Sequence, residues 1–221
     1  MSLRQAPGAV VVLATNNAKK LAELRRIVAT AAPEIEVLAL ADLPAYPEPA
    51  ETGATFEENA LLKARACVEA TGLPALADDS GLSVDRLNGM PGVRSARWSG
   101  VDASDASNNE LLLRQLFDLT GADRRAHFHC AMALVLPEGT EQVARGTMSG
   151  QLVEAPVGDN GFGYDPLFVA DGHDRTTAEL DPAAKDAISH RGLAIAAIVP
   201  VLVAELHRLR PGAATDAQEE S

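Results

Sequence analysis

The chain has 221 residues, 47% hydrophobic content and a formal net charge of -12 at pH 7. That length supports one sizeable core, or one domain with two lobes. The acidity excludes a general binder of DNA or RNA backbones, which needs a basic footprint. No window approaches the run of about 18 apolar residues that a membrane span needs. Met1 to Gly8 lack the apolar stretch of a signal peptide, and a cytosolic chain of this size needs no staple between Cys67 and Cys130. A soluble, cytoplasmic protein with two buried thiols and no nucleic-acid or membrane partner is expected.

Val10-Val11-Val12-Leu13-Ala14 is a continuous apolar run, the pattern of a strand buried on both faces, and polar Thr15-Asn16-Asn17 follows it. Leu21, Leu24, Ile27 and Val28 then recur at helical spacing, with an asparagine as N-cap and Pro33 beyond the end. A loop rich in Pro and Glu runs from Asp42 to Gly53. Thr55-Phe56-Glu57-Glu58 is a capping-box signature for a second helix reaching Gly72, with Ala60, Leu61, Ala64 and Val68 on its apolar side. The short apolar run Leu73 to Ala77 ends in Asp78 and Asp79, and Ser80-Gly81 behind them is expected to turn.

A third helix is predicted from Ser104 or Asp105, carrying Leu111, Leu112 and Leu116 before Gly121. His127 to Leu136 and Gln142 to Val153 read as a hairpin about Pro137-Glu138-Gly139-Thr140. Asp181-Pro182 opens a short helix, and Ser189 caps a longer one running towards Leu209 that Pro200 should kink or split. Alternating strands and helices plus an antiparallel pair predict an α/β fold with a mixed sheet. Pro211 to Ser221, small and acidic, is expected to be a disordered tail, which leaves residues 1–210 as a single domain.

Several segments carry polar groups in patterns that suggest chemistry. Adjacent Asp78 and Asp79 raise each other's pKa unless a cation or donor network lies near, which points to a magnesium site or a general base. Taken alone, the pair reads first as a capped, solvated turn. Thr15 to Lys20 places two lysines where a strand hands over to a helix N-terminus, a position that favours an anion. It lacks the glycines of a Walker A loop, and by itself it is an ordinary capped helix start. Asn59 and Lys63, four apart on the second helix near Glu51 and Glu58, share one face and could position and neutralise a phosphate, or could belong to a salt-bridged surface helix.

In Gly158 to Pro166, Phe162 and Tyr164 sit among glycines, suited either to stacking a planar base or to pinning a loop to the core. Lys185 with Ser189-His190-Arg191 puts cations near a helix N-terminus, which is unfavourable unless an anion or acceptor lies among them. His127, His129 and Cys130 cannot converge on one metal, because strand alternation sends the cysteine to the other face. No Gly-x-Ser-x-Gly elbow supports covalent catalysis, so metal and water chemistry fits better.

The blocks Leu13-Ala14-Thr15-x-Asn17-x-x-Lys20, Glu51-Thr52-Gly53-x-Thr55-Phe56-x-Glu58-Asn59-Ala60, Leu76-Ala77-Asp78-Asp79-Ser80-Gly81-Leu82, Pro91-Gly92-Val93-x-Ser95-Ala96-Arg97, Gly161-Phe162-Gly163-Tyr164-Asp165-Pro166 and Ala187-Ile188-Ser189-His190-Arg191-Gly192 occur in that order. Together they resemble the inosine/xanthosine triphosphate pyrophosphatase (dITP/XTP pyrophosphatase) family from about Val10 to Leu209. Asn16 departs from the glycine that bacterial members often carry there.

The resemblance implies an elongated, mixed α/β fold, a central sheet flanked by helices, and two lobes with the active-site cleft between them, assembled as a homodimer. It implies Mg2+-dependent hydrolysis of a non-standard purine nucleoside triphosphate such as XTP, ITP or dITP to the monophosphate and pyrophosphate. Asp79 matches the proton acceptor and metal-binding acid, Glu51 a second metal acid, and Asp78 their support. Thr15, Asn16, Asn17, Ala18, Lys19 and Lys20, with Lys63, would hold the triphosphate, and Ser80 would contact it beside the metal. Phe162, Gly163, Tyr164 and Asp165 match the base-contacting loop, and Lys185, His190 and Arg191 the residues that close over the purine. Asn59, Ser95 and Arg97 are expected in support. Two other readings stand beside this one: a pyrophosphatase for other modified nucleotides, and a non-catalytic nucleotide sensor, which the presence of all three acids disfavours.

Overall fold

The structure, a computed structural model, describes residues 9–208. Strands β1 (Ala9–Leu13), β2 (Ile35–Ala39), β3 (Ala75–Val84), β4 (Arg125–Val135), β5 (Glu141–Leu152) and β6 (Phe168–Ala170) form one sheet in the order β2-β1-β3-β4-β5-β6. β1 pairs in parallel with β2 and β3, and the remaining pairs are antiparallel, so the sheet is mixed as expected. The helices are α1 (Ala18–Ala31), α2 (Phe56–Thr71), α3 (Asp105–Gln115), α4 (Pro182–Ile188) and α5 (His190–Arg208).

Each helix starts where a side chain satisfies its free N–H groups. Asn17 accepts from Lys19 N and Lys20 N, Thr55 from Glu58 N, Ser104 from Ser107 N and Asp181 from Ala184 N. Ser189 Oγ accepts from Gly192 N at the start of α5. α5 has the length and apolar composition of a membrane span. It is nonetheless a core helix of this fold: Ala194, Ile195, Ile198, Val199 and Leu202 are buried in the cluster that holds Leu13, Leu24, Leu76 and Met132.

Three expectations change. β3 does not end at Asp79; it runs on to Val84, pairing Asp78 with Met132, Asp79 with Ala131 and Gly81 with His129. Gly81 is therefore not a turn residue. A Cβ there would overlap Ser95 Oγ and the Gly92 carbonyl oxygen, so its bareness lets the 3₁₀ segment Gly92–Arg97 lie directly on β3. Pro200 does not split α5, which continues to Arg208. Pro200 and Ala196, whose carbonyl loses its partner, are both exposed, and water can take the freed acceptor. Strands β2 and β6 were not expected at all. The acidic tail expected from Pro211 onward lies outside the described residues.

Apolar side chains divide into groups that leave a polar belt between them. One face of β1, β3 and β4 packs small residues, Ala75, Ala77, Ala131 and Ala133, against Ala60 and Ala64 of α2. The opposite face packs against α1 and α5. Farther along the same long strands a second lobe collects Leu82, Val84, Phe128 and Met148 with Leu112 of α3, Leu116 just past its end and Phe168 of β6. Asp78 to Gly81 lie on β3 between the two lobes.

The approach of α5 to β5 depends on Gly146, because a Cβ there would overlap the His190 carbonyl oxygen and lie 2.7 Å from Ala194 N. Gly146→Ala is expected to cost about 1–3 kcal/mol by overpacking. Urea unfolding should show a lower midpoint with an unchanged slope.

Candidate active site

β1 stops at Leu13, paired to Leu76, while β3 continues, so a cleft opens at the end of β1 along the unpaired part of β3. It encloses about 320 Å³. Thr15, Asn16, Asn17 and Lys20 line one wall, Glu48, Glu51 and Lys63 another, and Asp79, Ser80 and Gly81 the floor. Ser95 to Arg97, the loop Phe162 to Asp165, and Lys185, His190 and Arg191 complete it.

Side-chain alternation along β3 sends the two adjacent acids to opposite faces of the sheet. Asp79 faces α2, where Asn59 Nδ2 donates to its Oδ2 at 3.0 Å and Lys63 Nζ stands 3.6 Å from its Oδ1. Lys63 Nζ also donates to Glu51 Oε1 at 3.1 Å, and Arg97 Nη1 donates to Glu51 Oε2 at 2.7 Å. Burial raises the Asp79 pKa above its ordinary value despite the pull of Lys63. Glu51 is also pushed up by burial, but the bond from Arg97 and the charge of Lys63 bring it below its ordinary value. Lys63 remains charged, because Asp78, Asp79 and Glu51 outweigh its desolvation.

Asp78 faces α5. Lys20 Nζ lies 2.9 Å from its Oδ2 and Arg191 Nε donates to the same oxygen at 3.3 Å. Burial works against its charge, but Lys20 and Arg191 hold its pKa well below the usual range. Mutual repulsion therefore does not set the two acids: burial raises one and cations lower the other. Arg191 also donates from Nη1 to Glu23 Oε2 at 2.8 Å and from Nη2 to Ser80 Oγ at 2.9 Å.

At the other end, Phe162 is half-buried, with Lys185 Nζ, Arg191 Cζ and Lys19 Nζ within 5.1–5.4 Å of its ring centroid. Asp165 is buried and accepts from Phe162 N at 2.8 Å and from Lys185 Nζ at 2.5 Å. α3 holds the same loop, since Asp105 accepts from Gly163 N and Asn109 Nδ2 donates to Gly163 O. His190 stacks on Phe128 with centroids 4.7 Å apart and planes 7° apart. Burial, with Arg191 and Lys185 nearby, keeps it neutral, and its buried Nδ1 has no partner among the described residues.

The fold thus gathers most of the residues singled out from sequence, but gives some a different position. Ala18 and Lys19 do not line the cleft; Lys19 Nζ turns to the Gly161 carbonyl at 3.0 Å. Tyr164 is pinned in the core, its hydroxyl donating to Ser95 O at 2.9 Å, and so takes the loop-anchoring alternative, while Phe162 stays half-buried at the cleft. Ser95 lines the cleft but spends its hydroxyl on the protein, donating to Gly92 O and accepting from Leu82 N. Asn59 and Lys63 are buried and do not form a surface salt-bridge ladder. His127 and His129 share a face, with ring centroids 6.1 Å apart, and Cys130 is buried on the other. Among the described residues, no three His, Cys, Asp or Glu side chains are grouped to hold a metal unaided.

Glu23 and Glu48 were not anticipated. Glu23 sits three residues after Lys20 on α1 and reads as an ordinary surface position, yet it partners Arg191 and lies 4.0 Å from Lys185. Glu48 accepts from Asn16 Nδ2 at 2.9 Å across the mouth of the cleft.

Fold and site together define a two-lobed α/β protein whose cleft combines paired acids, lysines and an aromatic shelf. The chain belongs to the Ham1 family, whose model matches residues 11–201. It is 58% identical to the dITP/XTP pyrophosphatase of Cutibacterium acnes over 89% of this chain and 97% of that one. It is 59% identical to that of Nocardia farcinica over 88% of this chain and 95% of that one. Among solved structures, the HAM1 protein of Coxiella burnetii superposes with a TM-score of 0.81 at 43% identity, covering 89% of this chain and 99% of that one. A nucleoside-triphosphatase / dITP/XTP pyrophosphatase from Mycobacterium abscessus gives 0.71 at 54% identity, covering 86% and 99%.

Asp78→Asn should destabilise the protein by about 3–5 kcal/mol at pH 7, because Lys20 and Arg191 would stay buried without their counter-charge. The folded pKa of Asp78 is depressed, so its contribution is fully present above the unfolded carboxylate pKa of about 4 and is lost as pH falls below it. Denaturant unfolding at pH 7 and pH 3 should show a smaller difference between variant and wild type at the lower pH.

Proposed function

We propose that the protein hydrolyses non-standard purine nucleoside triphosphates, XTP, ITP and dITP, to the nucleoside monophosphate and pyrophosphate. The observation that carries this most directly is the order of groups along the cleft. An aromatic ring ringed by cations and a neutral histidine with an unpartnered nitrogen lie at one end, and a desolvated carboxylate with two lysines at the other. The names of the curated relatives, more than half identical over nearly their full length, support the same substrate class.

Asp79 would act as general base. Its raised pKa gives it more affinity for a proton than a surface carboxylate has, and Asn59 fixes its orientation. Water loses a proton to Asp79 as its oxygen bonds to phosphorus. The bridging P–O bond breaks, and pyrophosphate departs with that electron pair. Lys20 and Lys63 would hold phosphate oxygens, with the backbone of Thr15 to Asn17 at the first turn of α1. Ala18 and Lys19 would act from behind this segment.

The charge balance of the cleft favours a metal cofactor. Lys20, Lys63, Arg97, Lys185 and Arg191 line it beside Glu48, Glu51, Asp79 and Asp165, while Asp78 and Glu23 stand behind. Such a site is nearly neutral and cannot by itself match a triphosphate of close to four negative charges. Asp79 and Glu51 offer carboxylate oxygens on either side of the Lys63 ammonium, where positive charge is already accommodated. Two carboxylates completed by phosphate oxygens and water suit Mg2+, which rarely takes an all-protein cage. These two residues would hold it, and it supplies neutralisation of phosphate charge.

At the base end Phe162 would stack on the purine, with Gly163 held beside it by Asp105 and Asn109 and with Lys185, His190 and Arg191 facing its 6-keto edge. Adenine carries an amino group there and would leave buried donors unpaired, a loss of order 10⁴-fold in favourable cases. Tyr164 and Asp165 would serve by holding the loop and Lys185 in place. A cytoplasmic homodimer belongs to the same proposal; the two buried free thiols accord with a reducing compartment.

A panel of ITP, XTP, dITP, GTP and ATP, with pyrophosphate and orthophosphate measured separately, tests the activity. The expected result is pyrophosphate from the first three at far higher kcat/KM than from ATP; orthophosphate alone, or equal rates on ATP, refutes it. Asp79→Asn should lower kcat at least 100-fold while changing nucleotide affinity little, read by single-turnover kinetics and equilibrium binding. Undiminished turnover would remove Asp79 as the base.

A further inference from the structure

A second cavity of about 700 Å³ adjoins the cleft, lined by residues 51–54, Val93, Arg94 and Arg97. It shares Glu51, Val93 and Arg97 with the main cleft and none of the residues of the Phe162 loop or α5. It therefore continues the cleft beyond the carboxylate end, away from the proposed base site.

Its charge is unusual for so acidic a chain. The exposed arginines Arg65, Arg86, Arg145 and Arg208 all pair with carboxylates, as does half-buried Arg125. Arg94 is exposed and, among the described residues, is the arginine whose side chain has neither an ion pair nor a hydrogen bond. Arg97 gives Nη1 to Glu51 Oε2, and its other guanidinium nitrogens have no protein partner among those residues. Glu51 is the one carboxylate lining this cavity, and Lys63 and Arg97 already neutralise it. The nearby backbone offers little to an anion, since Gly53 N donates to Asn59 Oδ1 and Ala54 N to Glu58 Oε2. What remains is a pair of guanidinium groups with free donors, set three residues apart on the 3₁₀ segment Gly92–Arg97, where i and i+3 side chains lie in register. Guanidinium forks match phosphoryl oxygens in bidentate geometry.

We propose that Arg94 and Arg97 form a subsite for inorganic pyrophosphate, the product that leaves from the distal end of the triphosphate. This rests on the pyrophosphatase function above. Arg97 spans the two cavities, one nitrogen on Glu51 and the rest free to follow the departing group, and Arg94 receives it farther out. The subsite makes Arg94 a determinant of product release and of product inhibition, with no part in bond cleavage.

Calorimetric titration of pyrophosphate with Mg2+ into the full-length protein tests the subsite directly, with inosine monophosphate as the control ligand for the base end. Arg94→Ala should weaken pyrophosphate binding about tenfold and Arg94→Glu further, with inosine monophosphate affinity within twofold of wild type. Arg208→Ala removes one exposed charge that pairs with Glu138 in the turn between β4 and β5 and does not line the cavity, and it should leave both affinities unchanged. Inhibition of turnover by added pyrophosphate should weaken by the same factor in Arg94→Ala. Unchanged pyrophosphate affinity in both Arg94 variants, or equal weakening of both ligands, overturns the subsite. Arg94-dependent pyrophosphate binding by a wild-type protein that releases none from the triphosphate panel would instead refute the catalytic function and leave the subsite standing.

Discussion

Asp78 is an ionised carboxylate with 1% of its side chain exposed, and a charge so buried is tolerated only when it is paired and hydrogen-bonded. Its two partners come from opposite ends of the chain, Lys20 from the first turn of α1 and Arg191 from the first turn of α5. This three-way contact ties the middle strand of the sheet to both helices on one face, and other contacts follow from it. With Arg191 held by Asp78 and Glu23, its remaining nitrogen reaches Ser80 in the cleft and its guanidinium lies beside Phe162. With Lys20 held, the loop after β1 stays against β3 where the cleft opens.

Strand alternation separates this ion cluster from the groups around Asp79. Asp79, one residue on, faces α2 and is met by an amide and a shared lysine, a lighter neutralisation than two full cations on one oxygen. One acid is therefore held firmly ionised, while its neighbour keeps a raised proton affinity. Side by side in sequence, they occupy different electrostatic environments because the sheet lies between them. Donors held in place before substrate arrives cost no reorganisation during the reaction, which is how such a cleft stabilises developing charge.

The helices were largely legible in sequence because their signals are local: Asn17, Thr55, Ser104 and Asp181 cap the turns they immediately precede. The hairpin of β4 and β5 was legible for the same reason, from the turn Pro137-Glu138-Gly139-Thr140 and the change of period on either side of it. β2 and β6 were missed because each is short and takes its stability from neighbours: among the described residues β2 pairs with β1 alone, and β6 pairs with the last residues of β5 and forms one bridge to Thr176. The full length of β3 was missed because Asp-Asp-Ser-Gly has turn composition, and its strand character comes from pairing with β4 and from the close seat of Ser95 on Gly81. In the site, Phe162 and Tyr164 looked equivalent, and burial together with the hydroxyl bond to Ser95 makes Tyr164 the anchor of the loop while Phe162 stays half-buried at the cleft. Glu23 carried no recognisable signal, since an i,i+3 acid after a lysine is commonplace on helices and its role is decided by Arg191, far away in sequence.

The order of the blocks determined the family, the mixed α/β class and the set of residues that could meet in one cleft, because capping, periodicity and motif spacing are properties of neighbouring residues. The tertiary structure alone decided which cation neutralises which acid, that β3 runs on past Asp78 and Asp79 so that both sit in mid-strand, that the basic cluster on α5 is met by Glu23, Asp165 and Asp78, and that Arg94 has no partner among the described residues. These outcomes depend on desolvation and on distances of a few ångströms between segments far apart in the chain, quantities that exist only once the sheet has brought those segments together.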